Sequence, residues 1–501
     1  MKKRICKLTS LLLVASMLLM TVACGGTNTS SSSQPTTPAA SSDTAVAAPA
    51  GGKEPTDAKP ASLNLSYAYW DFLPDQEGIF ADFAKQYKEK YGIDIKVDGQ
   101  LVTGDWQDTQ KTQIAAGGGS DVFHLDLNWL SAWADNVIQP LDPYIEADFW
   151  DQFVPNASDV WMKDGKHYAA SNSYSVISVL YNEKMIKDAG ATVPAYNETW
   201  TLEQFEAAME KVYNYHKDKK ITYSDGKEYP YYILGTTSAM YFYWLMYGPM
   251  GGIPMADTNN IAQNAYADAI VKMGEWIDKG WVTPSAEVEP GQGTVAFSAG
   301  GNVAFSITGD WTPTGFYRKA NGIGEEKTPL TVSYSSCPTP VGKDGKVVSE
   351  IYNQGVVMNK NLTGWKAHAA ATLIQYMTTS DAWLRARGPE VGGLGLPARK
   401  EWGEQYATTW FAKPEERAAF IWTAENGRIC SPDYNAGGID LSTKLSEVIK
   451  FATTEAQKDG ALDLAATRTA IVSKLEEQQK LLNLELMENG ITSNNPDGKI
   501  K

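Results

Sequence analysis

From residue 62 onward the chain alternates between two hydrophobic periods. Leu63, Leu65, Tyr67 and Tyr69 stand two apart, the period of a strand with one buried face. Ile79, Phe80, Phe83, Tyr87 and Tyr91 then recur at helical spacing, and Gly92 is the expected stop, since glycine takes the left-handed conformation without a Cβ penalty. Ile93–Val97 reads as a second strand and Asp105–Ala116 as a second helix. Three glycines, Gly117 to Gly119, end that helix, and the apolar run Val122–Leu125 reads as a third, buried strand. Strand, helix, strand, helix, strand predicts a parallel sheet with helices on its faces, an α/β fold.

Further along, Gly165–Ala170 and Ser173–Tyr181 have strand character and are placed to carry the chain from one lobe to another. Thr201-Leu-Glu-Gln204 fits a capping box, in which hydroxyl and amide satisfy each other's backbone donors. Leu202, Phe205, Met209 and Val212 give the helix behind it an apolar face. Tyr241–Tyr247 is dense in aromatics; a buried helix accounts for most of them, with Tyr241 or Trp244 turned to a ligand. Ala265–Lys279 predicts another amphipathic helix. Gly301–Trp311 reads as a strand that ends on a glycine. Strands are expected at Leu330–Ser335 and Gly355–Met358, and helices at Trp365–Thr379, Leu441–Ala456 and Ala465–Met487.

The 501 residues exceed one hydrophobic core, so two lobes are expected. A net charge of −15 and the lack of a basic stripe argue against a nucleic-acid partner. The 16 Trp and 25 Tyr are more than a core requires. They matter because of where some of them fall. Trp70-Asp71 follows the first strand, Asp126, Asn128 and Trp129 follow the third, and Asp310-Trp311 follows the strand near residue 305. Ligands of open α/β sheets bind just outside the carboxyl ends of strands. A carboxylate or amide beside an indole at such a point suits a sugar: the polar group takes hydroxyls, and the ring stacks on the C–H face.

The amino terminus reads differently. Lys2, Lys3, Arg4 and Lys7 form a basic region, Leu8–Met20 an apolar run too short for a membrane span, and Thr21-Val-Ala-Cys24 a small-residue site. Residues 1–23 are the expected signal peptide. The site resembles a bacterial lipoprotein lipobox, with Thr21 where Leu is usual, which implies acyl chains on Cys24. Lipid chains anchor at ~0.8 kcal/mol per buried CH₂. Residues 24–61, rich in Ser, Thr, Pro, Ala and Gly, read as a disordered tether with a span on the order of 35 Å. Cys337 and Cys430 are the cysteines of the body, and one disulfide or two buried thiols are both open.

The body resembles the family-1 extracellular solute-binding proteins of ABC importers, the group that includes maltodextrin-binding proteins. Gly117-Gly-Gly-Ser-Asp-Val-Phe123, Val179–Gly190 followed by Thr199–Phe205, Gly301–Trp311, and Gly392-Gly-Leu-Gly-Leu-Pro-Ala-Arg399 look like family segments and stand in the family order. The resemblance covers roughly Ala61 to Met487. It implies a periplasmic-binding-protein-like fold: two α/β lobes with mostly parallel sheets, joined by a hinge of several chain crossings. Lobe 1 would be 62–173 with 334–418, and lobe 2 would be 176–331 with 422–501. The ligand would lie in the cleft, and the lobes would close by hinge bending.

The resemblance also implies site residues. Trp70 and Asp71 match first-strand contacts, and Asp126, Asn128 and Trp129 match a polar and aromatic loop. Tyr241 and Trp311 match stacking positions, with Trp244 close by and Asp310 as hydroxyl acceptor. Ser175 stands where some relatives have a carboxylate. Tyr352 and Asn353 complete the set. The expected role is a carbohydrate receptor, its expected guest an oligosaccharide, lipid-anchored on the extracytoplasmic face of the cell membrane, monomeric, and serving ABC permease subunits. No cofactor, metal or catalytic residue is expected. His124, His167, His216 and His368 are scattered without metal spacing. A lipid-anchored sugar sensor would use the same binding chemistry. A glycoside hydrolase also pairs carboxylates with aromatics, but no Glu stands out as a catalytic acid beside a strand-end Asp.

Overall fold

The structure is a computed structural model that describes residues 53–69, 76–102, 106–171, 173–222, 226, 228–235, 242–282, 301–322, 327, 332–383, 395–402, 414–430, 441–456, 462–488 and 490–501. The signal segment, Cys24 and most of the tether lie outside them. β1 (Ser62–Tyr69), α1 (Gln76–Tyr91), β2 (Asp94–Leu101), α2 (Trp106–Ala115) and β3 (Val122–Asp126) follow one another as the two periods dictate. The apolar residues of α1 face inward: Ile79, Phe80, Phe83, Tyr87 and Tyr91 are all buried. β1 pairs in parallel with both β2 and β3.

β4 (Ser173–Asn182) is the first long strand. α3 (Leu202–His216) starts on the expected capping box, with Thr201 N–H donating to Gln204 Oε1 at 2.8 Å and Gln204 N–H to Thr201 Oγ1 at 3.3 Å. β5 (Tyr232–Leu234), α4 (Tyr243–Tyr247), α5 (Asn264–Asp278), β6 (Val303–Gly309), α6 (Trp311–Asn321) and β7 (Tyr334–Cys337) come next. β8 (Val348–Met358) is the second long strand. It begins well before the expected Gly355 because Ser349, Glu350 and Asn353 interrupt its apolar pattern yet are buried. α7 (Gly364–Thr379), β9 (Leu396–Pro397), α8 (Pro414–Asn426), β10 (Arg428–Cys430), α9 (Leu441–Ala456) and α10 (Leu464–Glu488) complete the chain.

These strands join one mixed sheet in the order β5-β6-β4-β8-β3-β1-β2. Every antiparallel pair described in it involves β4 or β8, whereas β1·β2, β1·β3, β5·β6 and β8·β10 are parallel. The reason lies in the cores. One buried cluster is built on β1, α1, β3 and α7, and another on α3, α4, α5, β6, α9 and α10. β4 passes from the first to the second between Val176 and Ile177. β8 returns from Val348 in the second to Ile351 in the first, and the chain crosses once more between Phe420 and Cys430. At the crossing Ser349 Oγ accepts from Ile177 N–H and donates to Ile177 O, each at 2.8 Å.

Just before β1 the chain rests on the first cluster. Trp365 Nε1 donates to Asp57 O at 2.9 Å, and Lys59 Nζ stands 4.9 Å over the Trp365 ring. Cys337 and Cys430 are free, buried thiols.

Candidate functional site

Where β4 and β8 cross, alternation leaves a row of half-buried side chains on one face. Tyr352 and Gln354 lie two apart on β8 and are partly exposed, whereas their neighbours Ile351 and Asn353 are buried. Across the ladder Tyr352 pairs with Ser175, also half-buried, and Gln354 pairs with Asp126. The polar end of β3 and the polar centre of β4 thus meet along about two residues of one strand.

Asp126 ends β3 with its carboxyl turned to Gln354. Burial pushes its pKa up to about 6, and the hydrogen bond with the Gln354 side chain works the other way. Trp129 follows after a single 3-10 turn, its ring half-buried and 5.9 Å from Trp133.

On the other side, β6 delivers Asp310 and Trp311. The Trp311 ring is half-buried and meets Tyr352 edge-on, centroids 5.4 Å apart at 87°. It lies over Gly309, where an added Cβ would come within 2.1 Å of the ring. Glycine at that position is therefore what lets the indole fold back over its own strand. Asp310 is wholly buried. Burial pushes its carboxyl up to about 6, while Arg417 and the Ser175 hydroxyl draw it down. Arg417 Nη1 stands 3.9 Å from Asp310 Oδ2. Among the described residues neither Asp310 oxygen has a hydrogen bond of full geometry, so the Ser175 contact is a loose one.

The sequence-derived residues divide accordingly. Asp126, Ser175, Trp311 and Tyr352 come to one place, with Trp129 at the end of the turn after Asp126; Asp310, expected as a hydroxyl acceptor, is wholly buried beside Trp311 and is not open to a guest. Trp244 does not join them: its ring is fully buried, edge-on to Phe205, because α4 packs all five of its side chains inward. Asn353 does not either, since strand alternation turns it to the interior. There its amide donates to Asn156 O at 3.2 Å and Ala157 O at 3.4 Å. Trp70, Asp71, Tyr241 and the Asn128 side chain lie outside the described residues.

Sequence reasoning missed Gln354, Arg417 and Gly395. Gln354 follows another amide, Asn353, ahead of an apolar run, and only its register opposite Asp126 gives it meaning. Gly395 has φ of 74°, and a Cβ there would come within 2.6 Å of Tyr174 O and 3.0 Å of Ser175 Oγ. It lets the Leu396–Pro397 segment pair with Tyr174 and Ser173 at the edge of the site. Its signal was the glycine-rich stretch before Leu396. Among the described residues no group of three or more His, Cys, Asp or Glu could hold a metal ion.

What this arrangement does chemically is to offer acceptors, Asp126 and Ser175, an amide, Gln354, and an aromatic corner, Trp311 with Tyr352, to one guest. The chain as a whole has known relatives. Residues 82–418 match the family described as bacterial extracellular solute-binding protein. A maltotriose-binding protein of Pyrococcus abyssi is 24% identical over 147 residues, 29% of this chain and 30% of that one. A putative binding protein of Brucella abortus is 24% identical over 294 residues, 58% of this chain and 65% of that one. The chain thus matches between about a third and two thirds of the length of these curated relatives. An ABC substrate-binding protein from Listeria monocytogenes in complex with cycloalternan superposes with a TM-score of 0.62 at 18% identity, over 86% of this chain and 100% of that one. Maltose-bound MalE3 of T. maritima gives 0.60 at 15%, over 85% and 100%. The fold is therefore periplasmic-binding-protein-like, and the relatives are binding proteins, not enzymes.

Proposed function

This chain belongs to the bacterial extracellular solute-binding proteins, and from that premise we propose that it binds a carbohydrate at the crossing of β4 and β8. One observation carries the reading: half-buried Asp126, Gln354 and Ser175 share a strand face with the Trp311–Tyr352 corner. A neutral sugar offers hydroxyls and patches of C–H, and this face holds a partner for each. Charge-strengthened hydrogen bonds to hydroxyls set the orientation. The flat ring adds apolar contact at small entropy cost. The names of the relatives, maltotriose-binding and maltose-bound, support an oligosaccharide.

The lobes of this reading are 62–173 with 334–418 and 176–331 with 422–501, hinged where the chain passes between the buried clusters, although Cys337 and Val348 pack in the second cluster. Ligand shifts the open and closed forms only by its differential affinity for them. A guest touching both Asp126 and Trp311 has that differential, because those residues belong to different clusters. The closed body then hands the sugar to ABC permease subunits. In this reading Cys24 is acylated, the residues between it and the packed segment at Asp57–Lys59 tether the monomer, and it works at the extracytoplasmic face of the membrane.

Isothermal calorimetry of the chain against maltose, maltotriose, cyclodextrins and common disaccharides tests the reading. Binding of one of these without turnover, weakened by Trp311→Ala at unchanged melting temperature, is the expected result. No heat from any sugar, or equal heat in the variant, would sink it.

A further inference from the structure

The chain touches the body before β1 begins. Residues 54–60, Glu-Pro-Thr-Asp-Ala-Lys-Pro, lie over the first turn of α7. Three contacts hold them there. Trp365 Nε1 donates to Asp57 O at 2.9 Å, and Lys59 Nζ stands 4.9 Å over the Trp365 ring. The Asp57 carboxylate makes the third. Gly364 has φ of 54°, and a Cβ there would come within 2.7 Å of Asp57 Oδ2. The carboxylate therefore sits at the amino end of α7, where Thr363 supplies no side-chain cap and negative charge is favoured. Trp365 is fixed from the other side, 4% exposed and edge-on to Tyr91 and His368.

The segment is otherwise loosely joined. Among the described residues, no backbone N–H from 54 to 60 is bonded to the body. Glu54 pairs with Lys59 at 3.1 Å, within the segment, and both side chains are exposed. β1 is held quite differently, by eight residues in parallel register with β2 and by Tyr67 and Ala68 against β3. Far less must break for the segment to leave than for the strand. Pro55 and Pro60 bracket the contacts. A fixed proline φ leaves the loose chain fewer states to lose on docking, so a few modest contacts suffice to seat it.

We propose that residues 54–60 are a releasable strap: docked, they end the free tether near residue 53, and undocked, they add their own length to it while β1 and the body stay folded. The use of such a strap rests on the anchoring reading above. With the strap docked, the free tether is residues 25–53, whose root-mean-square span is on the order of 30 Å. Released, the tether runs to residue 61, and its contour grows by up to about 30 Å. The body then reaches a membrane partner beyond the docked range and returns when the strap reseats. Local opening of this kind belongs to segments with few buried contacts, and does not need the core to unfold.

A pulling experiment tests the strap. The chain from Cys24 onward is made without its signal segment, so that the thiol is free. One handle is placed at Cys24 and another at Lys111→Cys, an exposed position of α2. Cys337 and Cys430 are buried and take no handle. In an optical trap the wild type should lengthen reversibly by up to about 30 Å at low force, ahead of the step in which the body unfolds. Asp57→Ala with Lys59→Ala, both at exposed positions, should at least halve the force of that first step, and the later step should not move. Trp365→Phe, which keeps a ring and loses the donor, should lower the first step as well. A nitroxide on Thr56→Cys, in a Cys24→Ser background, supplies the arm without force. Its electron paramagnetic resonance spectrum should be restrained in the wild type and mobile in the double variant. A mobile nitroxide in the wild type would show that the strap does not dock. A first extension that coincides with unfolding of the body would show that it is not releasable. Either result overturns the proposal, as does a first step of equal force in the double variant. Mass spectrometry of the protein from membranes reads the acylation of Cys24 separately: a plain thiol would sink the anchoring reading, and the pulling data would still decide the strap.

Discussion

Glu350→Gln is the substitution whose effect the structure specifies most fully. Glu350 lies on β8 between the two clusters, wholly buried and paired in register with Cys430. Its surroundings are Cys430, Tyr247 and the backbone N–H groups of Trp244 and of Glu350 itself, neither N–H in full hydrogen-bond geometry to the carboxyl. Burial outweighs the pull of those two N–H groups and raises its pKa from 4.5 to about 8. A carboxyl raised on folding binds a proton that the unfolded chain has already released. Between pH 4.5 and about 8 the folded state therefore holds one more proton, and stability falls as pH rises, by about 1.4 kcal/mol per unit. Below that window the proton is bound in both states, and above it in neither. The full difference is on the order of 5 kcal/mol. The glutamine keeps the acceptor oxygen and cannot ionise. Urea unfolding followed by tryptophan fluorescence at half-unit steps from pH 4.5 to 9 measures both proteins. The variant's advantage should be near zero at pH 4.5, grow steadily and level off above pH 8. Parallel profiles, with a constant offset or none, would refute the assignment of a neutral buried acid at this crossing.

Trp311→Ala should weaken sugar binding about tenfold and leave the melting temperature nearly unchanged, whereas Trp244→Ala should cost about 3–5 kcal/mol of stability by opening a core cavity. Calorimetry and thermal denaturation on the same pair separate the two tryptophans, and a shared phenotype would contradict their placement. Asp126, with its pKa near 6, should make wild-type affinity fall as pH drops below that value, and Asp126→Asn should make this slope shallower while lowering affinity at pH 7. Cys337 and Cys430 should resist alkylation in the native protein and react fully in urea, because burial raises both thiols, Cys430 to about 12. Residue-resolved mass spectrometry reads this, and labelling of either thiol in the folded state would count against it.

Local physics was legible in the chain. The apolar residues of α1, the capping box of α3 and the strand-end positions of Asp126 and Trp311 follow from periodicity and from donors that neighbouring residues can satisfy. So does the strand and helix order of the α/β fold. Three things were decided only by the tertiary structure. The full length of β8 was hidden because its polar half is buried at the crossing, where Ser349 bonds Ile177 and Glu350 is enclosed by the second cluster. Trp244 and Trp311 are the same residue type in similar aromatic surroundings. Packing of α4 on Phe205 buries one, and the gap over Gly309 leaves the other half open. Gln354 beside Asp126 and Arg417 beside Asp310 carry no sequence signal, because each acquires its partner through long-range register and helix docking, and contacts between distant segments leave no local period to read.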